Sequence, residues 1–341
     1  MADKVQKFAE YRIKNLDRAE QEYYRTLQRT LDKIEDDVIK LAGRELPTQQ
    51  GKLIELQAAI AIRPKIRNIL NTEYLAWADT VTKKGFNKQA KRIERAFREI
   101  GNIPVEFMEL TKGDLNLIKN LKVQTFTQFK DVSNTFTKRL SDKIYQNTLV
   151  GRDFVELEKE LRQTINGIYS KSDDVEAQKL VNYVKKNKNV RSRQSQVDKA
   201  IQTLQSKYAR DRAGDNMRKY ARDRAGDNMR KYASQILSDG LREFDAQVNA
   251  KKAIDAGLEY VKYHGDIIPT TREICRNILN GVYSKRNGNL FTIDEVRKLW
   301  RRSWKGKKPG DPFVVRGGYN CRHGWSYVNI DWYDNNGNLQ I

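Results

Sequence analysis

Residues 316–328 have the sequence RGGYNCRHGWSYV and determine how the C-terminal part of this chain is interpreted. The chain has only two cysteines and two histidines among its 341 residues, and one of each lies in this stretch, two positions apart. A double glycine precedes them and predicts a tight turn. The other cysteine and histidine lie upstream, still within the last quarter of the chain. The full set is His264, Cys275, Cys321 and His323.

The sequence before this stretch predicts a small α+β domain at 257–334, followed by a polar tail at 335–341. Apolar and polar side chains alternate at 258–265, which indicates a strand. The sequence TREICRNILNG at 271–281 predicts a short helix that Gly281 ends. The double glycine and the Cys-x-His pair would then lie near the end of this domain.

A second helix of this domain is expected after a short strand that ends near position 292. Thr292 and Glu295 have the spacing of a capping box, in which each side chain bonds the backbone amide of the other residue. The helix is expected to continue into the basic residues that follow, with Trp300 and Trp304 one helical turn apart. Residues 311–330 are expected to supply one or two closing strands around the double glycine.

The chain before this domain has the pattern of long amphipathic helices, so the predicted fold class is mainly α. One helix is predicted over 1–42 and another over 113–149, because apolar residues recur there at helical spacings. Shorter helices are predicted at 49–62, 64–83 and 87–100. These residues divide into an N-terminal helical region at 1–150 and a basic helical region at 151–256.

A tandem duplication lies in the basic helical region. The sequence KYARDRAGDNMR occurs at 207–218 and again without a mismatch at 219–230. An insert of twelve residues rotates the rest of an α-helix by roughly 120°, because about 3.6 residues make one turn. Each copy also contains Gly-Asp-Asn, which is a poor helix sequence. The duplication indicates a region that tolerates changes of length, and an array of phosphate-binding arginines is the alternative.

The chain is strongly basic, since 65 Lys and Arg residues against 44 Asp and Glu residues give a net charge of +21. Such an excess favours polyanionic partners, and nucleic acid is the first candidate. The N-terminus lacks the apolar segment of a secretory signal, and the longest apolar run, at 58–62, is too short to span a bilayer. We therefore expect a cytosolic protein with reduced cysteines, no membrane partner and no small-molecule substrate.

Two basic stretches are candidates for contact with double-stranded DNA without sequence preference. The first, at 184–194, contains five cations and no acid, and the second, at 297–308, contains seven cations and two tryptophans. The alternative is that the cations are merely solvated and that the tryptophans pack into the domain. The candidate residues are Lys185, Lys186, Lys188, Arg191, Arg193, Arg297, Lys298, Arg301, Arg302, Lys305, Lys307 and Lys308.

The order of motifs in the C-terminal domain resembles that of the phage head morphogenesis family, the Mu F-like minor head proteins of tailed phages. That family has a strand ending near Gly-Asp, a Thr-Arg-x-x-Cys or Thr-Arg-x-x-His helix, a Leu-x-Gly turn, and a closing Asn-Cys-Arg-Cys or Asn-Cys-Arg-His. Members often carry a proline before the closing motif, where this chain has Gly318 and Tyr319. The positions that carry the resemblance are His264, Asp266, Thr271, Arg272, Cys275, Leu279, Gly281, Gly317, Gly318, Asn320, Cys321, Arg322 and His323.

The resemblance implies a minor capsid protein that has no enzymatic activity. Such a protein joins the head in few copies near the portal and acts in head assembly and in genome packaging or ejection. The implied partners are the portal protein, the major capsid protein and DNA, and the implied location is the capsid interior, after assembly in the host cytoplasm. The N-terminal helices would contact the portal or capsid. The alternatives are a metal-dependent, nuclease-like DNA-processing enzyme and a basic scaffolding protein without DNA contact.

Three interpretations of the four Cys and His residues are open. In the first, they form a structural zinc site, for which two thiolates and two imidazoles are a common ligand set. In the second, they pack in the domain core with no cofactor, and Arg272 and Arg322 pair with nearby acids such as Asp266. A Cys275–Cys321 disulfide is a variant of this interpretation. In the third, they belong to the active site of a metal-dependent nuclease, which needs a general base and access to a scissile phosphate.

Overall fold

The computed structural model describes residues 4–100, 109–172, 174–187, 193–210, 228–319 and 321–336. Within these ranges the protein is mainly α-helical, as predicted. The helices before the C-terminal sheet are α1 (Lys4–Glu45), α2 (Leu56–Ala61), α3 (Arg63–Ile69), α4 (Ala76–Thr80), α5 (Phe86–Ile100), α6 (Lys112–Leu149), α7 (Phe154–Asn166), α8 (Val175–Asn187), α9 (Gln194–Arg210) and α10 (Met229–Asp255). Two π-helical segments, Leu70–Leu75 and Val81–Gly85, connect α3 to α4 and α4 to α5. Among the described residues, we find no helix with the length and apolar character needed to cross a membrane.

The two longest helices, α1 and α6, confirm the helices predicted at 1–42 and 113–149. Apolar side chains at spacings of three and four along one face of α1 are fully buried, so this face packs in a core. They are Leu27, Leu31, Ile34 and Val38.

The helix predicted over 49–62 is wrong in its first half, where the chain forms a short hairpin. Strands β1 (Thr48–Gln49) and β2 (Lys52–Leu53) pair antiparallel. The two residues between them, Gln50 and Gly51, have φ values of 50° and 79°, the left-handed conformation that a two-residue hairpin turn requires. The Gln-Gly pair therefore forms the turn of the hairpin. The helical spacing of the neighbouring apolar residues had predicted a helix there instead.

A three-stranded antiparallel sheet forms the centre of the C-terminal α+β region. Its strands are β3 (Tyr260–His264), β4 (Leu290–Thr292) and β5 (Gly324–Val328), with β3 in the middle. His264 pairs with Gly324 at one end of β3 and β5, and Tyr260 pairs with Val328 at the other. The strand predicted at 258–265 is thus confirmed.

Short helices α11 (Glu273–Leu279) and α12 (Ile293–Leu299) lie between the strands. The predicted capping box begins α12, because Thr292 Oγ1 accepts from the Glu295 amide at 3.2 Å and Glu295 Oε2 accepts from the Thr292 amide at 2.8 Å. The helix ends at Leu299, however, so the expectation that Trp300 and Trp304 share a helix is wrong. Turns follow, as the glycines and proline at 306–310 favour.

Residues 312–315 form a third short helix, α13 (Pro312–Val315), rather than one of the predicted closing strands. Asp311 Oδ1 accepts from the Phe313 amide at 2.8 Å, and Pro312 takes the first helical position, where its missing amide costs nothing. The Asp-Pro pair thus starts a helix in spite of the apolar run after it. In the described part of this segment, β5 alone closes the sheet.

The core of the C-terminal region is built around Trp325. Its ring centroid lies 4.5 Å from that of Tyr263 and 5.8 Å from those of both Trp300 and Phe313. Trp304 meets Trp300 edge to face at 5.3 Å. Both tryptophans of the basic stretch at 297–308 therefore pack into the domain.

The chain divides into two compact units whose borders do not coincide with the sequence borders predicted at 150 and 256. Unit 1 comprises the described residues of Met1–Glu20, Thr82–Thr125 and Leu237–Ile341, and unit 2 comprises those of Gln21–Val81 and Phe126–Ile236. The C-terminal sheet thus shares unit 1 with the first part of α1 and the last part of α10. Within unit 1, Arg242 on α10 bonds Asp17 at 2.6 Å and Glu20 at 2.8 Å on α1. The roles predicted for the sequence regions stay predictions.

Candidate functional site

The structure brings Cys275, Cys321 and His323 together. The two Sγ atoms and a ring nitrogen of His323 all lie within 4.8 Å of one another, and Cys321 Sγ is 3.5 Å from His323 Nδ1. The three residues are 1%, 3% and 8% exposed. We call them the Cys2His cluster, and their atoms could hold one metal ion.

Two structural elements and one glycine position the cluster. Cys275 lies on α11, whereas Cys321 and His323 lie in the loop before β5 rather than on a strand. A Cβ atom on Gly317 would lie 2.2 Å from Cys275 Sγ, and the Gly317 amide donates to Cys321 Sγ at 3.2 Å. The predicted turn is present, with Gly318 at a φ of 107°. A side chain at position 317 would push the cluster apart.

The imidazole of His323 is oriented by the backbone. Its Nε2 lies 3.2 Å from the carbonyl oxygen of Asp266. Because a carbonyl only accepts, Nε2 carries the proton in this bond, and Nδ1 is the ring nitrogen that faces Cys321. Metal-binding histidines in proteins show this arrangement, with the second ring nitrogen bonded to a carbonyl or carboxylate.

Tyr263 adds a fourth polar atom that the sequence analysis missed. Its Oη lies 3.5 Å from Cys275 Sγ and 3.5 Å from Cys321 Sγ. Successive side chains of a strand point to opposite faces, so Tyr263 and His264 on β3 diverge. This alternation separates His264 from the cluster, and the apolar-polar pattern at 258–265 already contained the signal.

The two thiols of the cluster shift each other's pKa in opposite directions. The hydrogen bond from Cys275 holds the pKa of Cys321 well below its usual range, and His323 and Arg316 reinforce that shift. The same bond, together with burial, raises the pKa of Cys275. Burial and the two neighbouring sulfurs raise the pKa of the Tyr263 hydroxyl. Cys321 is therefore the sulfur that loses its proton first.

His264 lines a cavity in unit 1 that His323 also borders, and it does not join the Cys2His cluster. Its Nε2 atom is buried and has no hydrogen-bond partner among the described residues. Burial, assisted by the cations Lys262 and Arg12, lowers the pKa of His264 to about 3. The imidazole is therefore neutral near pH 7.

Other residues of the family-like motif tie the loops of the domain together. Thr271 Oγ1 accepts from the Ile268 amide at 2.8 Å. Arg272 donates to the carbonyl of Tyr319 at 2.6 Å, a backbone bond where an ion pair with an acid was expected. Gly281 follows the end of α11 with a φ of 74°.

Two further motif positions flank Cys321. The carbonyl of Arg322 accepts from Arg242 at 3.5 Å, and the Arg322 side chain is half-buried. Asn320 lies outside the described residues. Asp266 contributes its carbonyl to the His323 bond, and its own side chain is exposed.

The basic stretch at 297–308 contains two kinds of cation. Lys307 Nζ donates to the carbonyls of Trp300 at 2.5 Å and Arg302 at 2.8 Å, and Lys308 forms an ion pair with Glu243. These two lysines stabilise the domain. The exposed cations, which we call the exposed basic segment, are Arg297, Lys298, Arg301, Arg302 and Lys305.

The basic stretch at 184–194 has fewer exposed cations among its described residues than the stretch at 297–308. Lys185 Nζ lies 3.0 Å from both carboxylate oxygens of Asp32. Arg193 is exposed and donates to Asn187 Oδ1 at 3.2 Å, and Lys186 is exposed. Lys188 and Arg191 lie outside the described residues.

Most of the tandem duplication, at 211–227, lies outside the described residues. Its last residue, Arg230, is 1% exposed and donates to Asn166 Oδ1 at 2.7 Å and to Asp32 at 3.2 Å. The Arg230 guanidinium also lies 5.3 Å from the centre of the Tyr169 ring. Arg230 therefore has internal partners and is not one of a set of phosphate-binding arginines.

The two candidate sites thus differ in accessibility. The Cys2His cluster is enclosed, and the exposed basic segment faces solvent on the surface of unit 1. Comparisons with family models, with curated proteins and with solved structures found no match for this chain.

Proposed function

We propose that this chain is a structural protein of phage head assembly that contacts double-stranded DNA without reading its sequence. In this proposal it joins the head in few copies, binds the portal or the major capsid protein, and is carried in the capsid interior after assembly in the host cytoplasm. The motif order that resembles Mu F-like minor head proteins supports this, as does the net charge of +21.

The observation that carries the proposal is the burial of the Cys2His cluster. A residue that cleaves DNA must come within hydrogen-bond distance of the scissile phosphate or its attacking water. Cys275, Cys321 and His323 are each less than 9% exposed, and Trp and Tyr rings pack around them. Buried residues of this kind stabilise a domain, and this structural role fits a protein that acts in assembly and not in catalysis.

Within this proposal the Cys2His cluster is a structural zinc site, and Tyr263 supplies the fourth donor. With Zn–S near 2.3 Å and Zn–N near 2.0 Å, neighbouring ligand atoms of a tetrahedral ion lie about 3.5–3.8 Å apart. The Cys321 Sγ–His323 Nδ1 distance and both sulfur–Tyr263 Oη distances are 3.5 Å. Three of the six edges of the tetrahedron thus have the required length.

The surroundings of the cluster also suit a metal. The Gly317 amide that donates to Cys321 Sγ stabilises a thiolate. The carbonyl of Asp266 fixes the tautomer of His323. Metal binding would complete the small domain, since structural zinc contributes directly to folding.

DNA contact is assigned to the exposed basic segment. Lys and Arg side chains that neutralise phosphates release counterions, so affinity falls with salt by about 0.9 logarithmic units per neutralised phosphate. We expect changing Arg297, Lys298, Arg301, Arg302 and Lys305 to Gln to lower DNA affinity. The same change should reduce the salt slope by about one unit for each phosphate that the variant no longer neutralises.

A matched control tests position rather than total charge. Exchanging five exposed cations elsewhere for Gln changes the net charge equally and should leave the salt slope nearly unchanged. The control residues are Lys52, Arg63, Lys84, Lys119 and Lys130. Equal effects of the two variants would show that only net charge matters, and no DNA retention by the wild type would favour a scaffolding protein without DNA contact.

Supercoiled plasmid distinguishes the proposal from a nuclease-like enzyme. We expect no nicking by the purified protein with Mg²⁺, Mn²⁺ or Zn²⁺, because the cluster cannot reach a phosphate. Nicking that depends on the metal and disappears in His323→Asn would replace the structural proposal with the enzymatic one.

Incorporation into heads tests the assembly role itself. The chain is co-expressed with portal and major capsid protein, and the purified heads are analysed for its presence. Wild type and Gly324→Ala should be incorporated, since a Cβ atom at position 324 meets nothing within 4 Å. Gly317→Ala should be incorporated poorly, and absence of the wild-type chain from heads would overturn the assembly role.

A further inference from the structure

Unit 1 contains an arginine-lined cavity on the His264 side of β3. It lies where the start of α1, the middle of α10 and the segment at 313–327 meet, and it offers about 20 Å³ to the centres of water-sized atoms. The charged residues and histidines that line it are Arg12, Arg242, Asp245, His264, Arg316, Arg322 and His323.

Two of the arginines are neutralised by carboxylates within unit 1. Arg12 bonds Asp245 at 2.6 Å. Arg242 bonds Asp17 at 2.6 Å and Glu20 at 2.8 Å. Of the described residues that line the cavity, four carry guanidinium groups and one, Asp245, carries a carboxylate, so cationic side chains predominate in its lining.

Arg316 has no carboxylate partner among the described residues, and its charge acts on the nearby Cys321 thiol, whose pKa it helps to lower. The residue is 3% exposed, its Nε atom has no hydrogen-bond partner among the described residues, and no described carboxylate pairs with its guanidinium. A buried guanidinium whose donors lack hydrogen-bond acceptors is destabilising, and an anionic ligand that accepts from them would stabilise it. The backbone of Arg316 also has a φ of 53°, a conformation that non-glycine residues adopt where the surroundings enforce it.

Two further donors line the same cavity. His264 presents the buried Nε2 atom that has no partner among the described residues, and a neutral imidazole can donate an N–H from that atom. The half-buried Arg322 side chain forms no hydrogen bond with a described residue. The cavity therefore combines a predominance of cationic side chains with donors that have no acceptor.

We propose that this cavity binds one small oxyanion of the phosphate type. Arg316 and Arg322 supply the counter-charge, and His264 Nε2 supplies a neutral donor. One water needs roughly 10–15 Å³ of such space, so the cavity admits one small anion but not a whole nucleotide. Guanidinium groups suit this ligand because their planar donors match phosphate oxygens. The site is separate from the exposed basic segment and does not depend on the proposed function.

Thermal unfolding followed by tryptophan fluorescence tests the proposal, because Trp300, Trp304, Trp325 and Trp332 lie in unit 1 and only Trp77 lies in unit 2. Inorganic phosphate is titrated at constant ionic strength, with chloride as the balancing anion. The wild-type Tm should rise with phosphate and then saturate, as for any ligand that binds the folded state.

The variants assign the effect to the cavity. In Arg316→Gln the response of the Tm to phosphate should disappear, because the variant lacks a guanidinium group that lines the cavity. Arg322→Gln should bind phosphate at least tenfold more weakly. Arg276→Gln removes an exposed cation of the same unit and should respond like the wild type.

The source of the phosphate group is distinguished by a second titration. Stabilisation by a 5′-phosphorylated oligonucleotide beyond that by its unphosphorylated form indicates a DNA end, and stabilisation by inorganic phosphate alone indicates a free anion. The proposal is overturned if the wild type shows no phosphate-specific rise, or if Arg316→Gln retains it. It is also overturned if Arg316→Gln loses bound metal while keeping the phosphate response, because the guanidinium would then serve the Cys321 thiolate.

Discussion

The two faces of strand β3 differ in the chemistry that they present. Tyr263 points to the Cys2His cluster, where sulfur, imidazole and phenol groups pack at 3.5 Å contacts. His264, one residue later, points to a cavity lined by arginines. The groups on the first face can bind a cation together, and the groups on the second face can bind an anion together.

Spacing along the chain alone does not define a site. His264 and Cys275 are close in sequence and of the right residue types for zinc, yet they lie on different sides of one strand. Tyr263 is not among the usual zinc ligands, but the alternation of β3 brings it to the sulfurs. The side of the strand therefore decides which ion a residue can serve.

The largest effect is expected from Arg12→Met, on the anion side of β3. This change leaves Asp245 buried without its ion pair, since the two side chains are 9% and 2% exposed. Breaking such a pair from one side costs about 3–5 kcal/mol. Urea unfolding followed by tryptophan fluorescence measures the loss.

The control for this variant is Arg297→Met. Arg297 lies 3.7 Å from Asp294 in an ion pair whose partners are 57% and 80% exposed, and such pairs contribute about 0–1 kcal/mol. If the two variants lose equal stability, the Arg12–Asp245 pair does not hold unit 1 together.

A smaller effect is expected on the cation side from Gly317→Ala. The added Cβ would lie 2.2 Å from Cys275 Sγ, so the cluster must shift, which costs about 1–3 kcal/mol. Gly324→Ala is the matched control, with nothing within 4 Å of its Cβ. Equal stability of the two variants in urea unfolding would contradict the close packing of the cluster.

The stability of the protein should depend on pH through His264. The pKa of His264 is about 3 in the folded protein because of burial, Lys262 and Arg12, against about 6.5 in the unfolded chain. Between these values the unfolded state binds the extra proton. Stability is thus fully present above pH 6.5 and falls by up to about 1.4 kcal/mol per pH unit as the pH drops.

Unfolding free energies between pH 7.5 and 5 measure this slope. His264→Gln should flatten it, and His323 remains in that variant as the second histidine of the chain. An unchanged slope in His264→Gln would mean that other groups bind the protons, and that the cavity does not keep this imidazole neutral.

Much of the fold followed from local patterns in the sequence. Apolar spacing predicted α1 and α6, alternation predicted β3, and Thr292 with Glu295 predicted the start of α12. The hairpin at 48–53 and the helix at 312–315 were not predicted, because single turn and capping residues outweighed the apolar pattern there. Local signals of one or two residues decide such short elements.

The candidate site followed from the sequence only in part. Residue types predicted that Cys275, Cys321 and His323 could meet. The role of Tyr263 and the isolation of His264 depend on which way β3 faces its neighbours, which requires the tertiary structure. Likewise, only the fold shows that Lys307 and Lys308 bond within the domain while Arg301 and Arg302 stay exposed.

The metal content of the purified protein, with a thermal melt before and after chelation, tests whether the Cys2His cluster is a structural zinc site. We expect one zinc per chain, a lower Tm after chelation in unfolding followed by tryptophan fluorescence, and loss of the metal in Cys321→Ser. A protein without metal whose melt does not respond to a chelator would contradict this assignment. The cluster would then be a packed thiol core on which Tyr263 and His323 close without an ion.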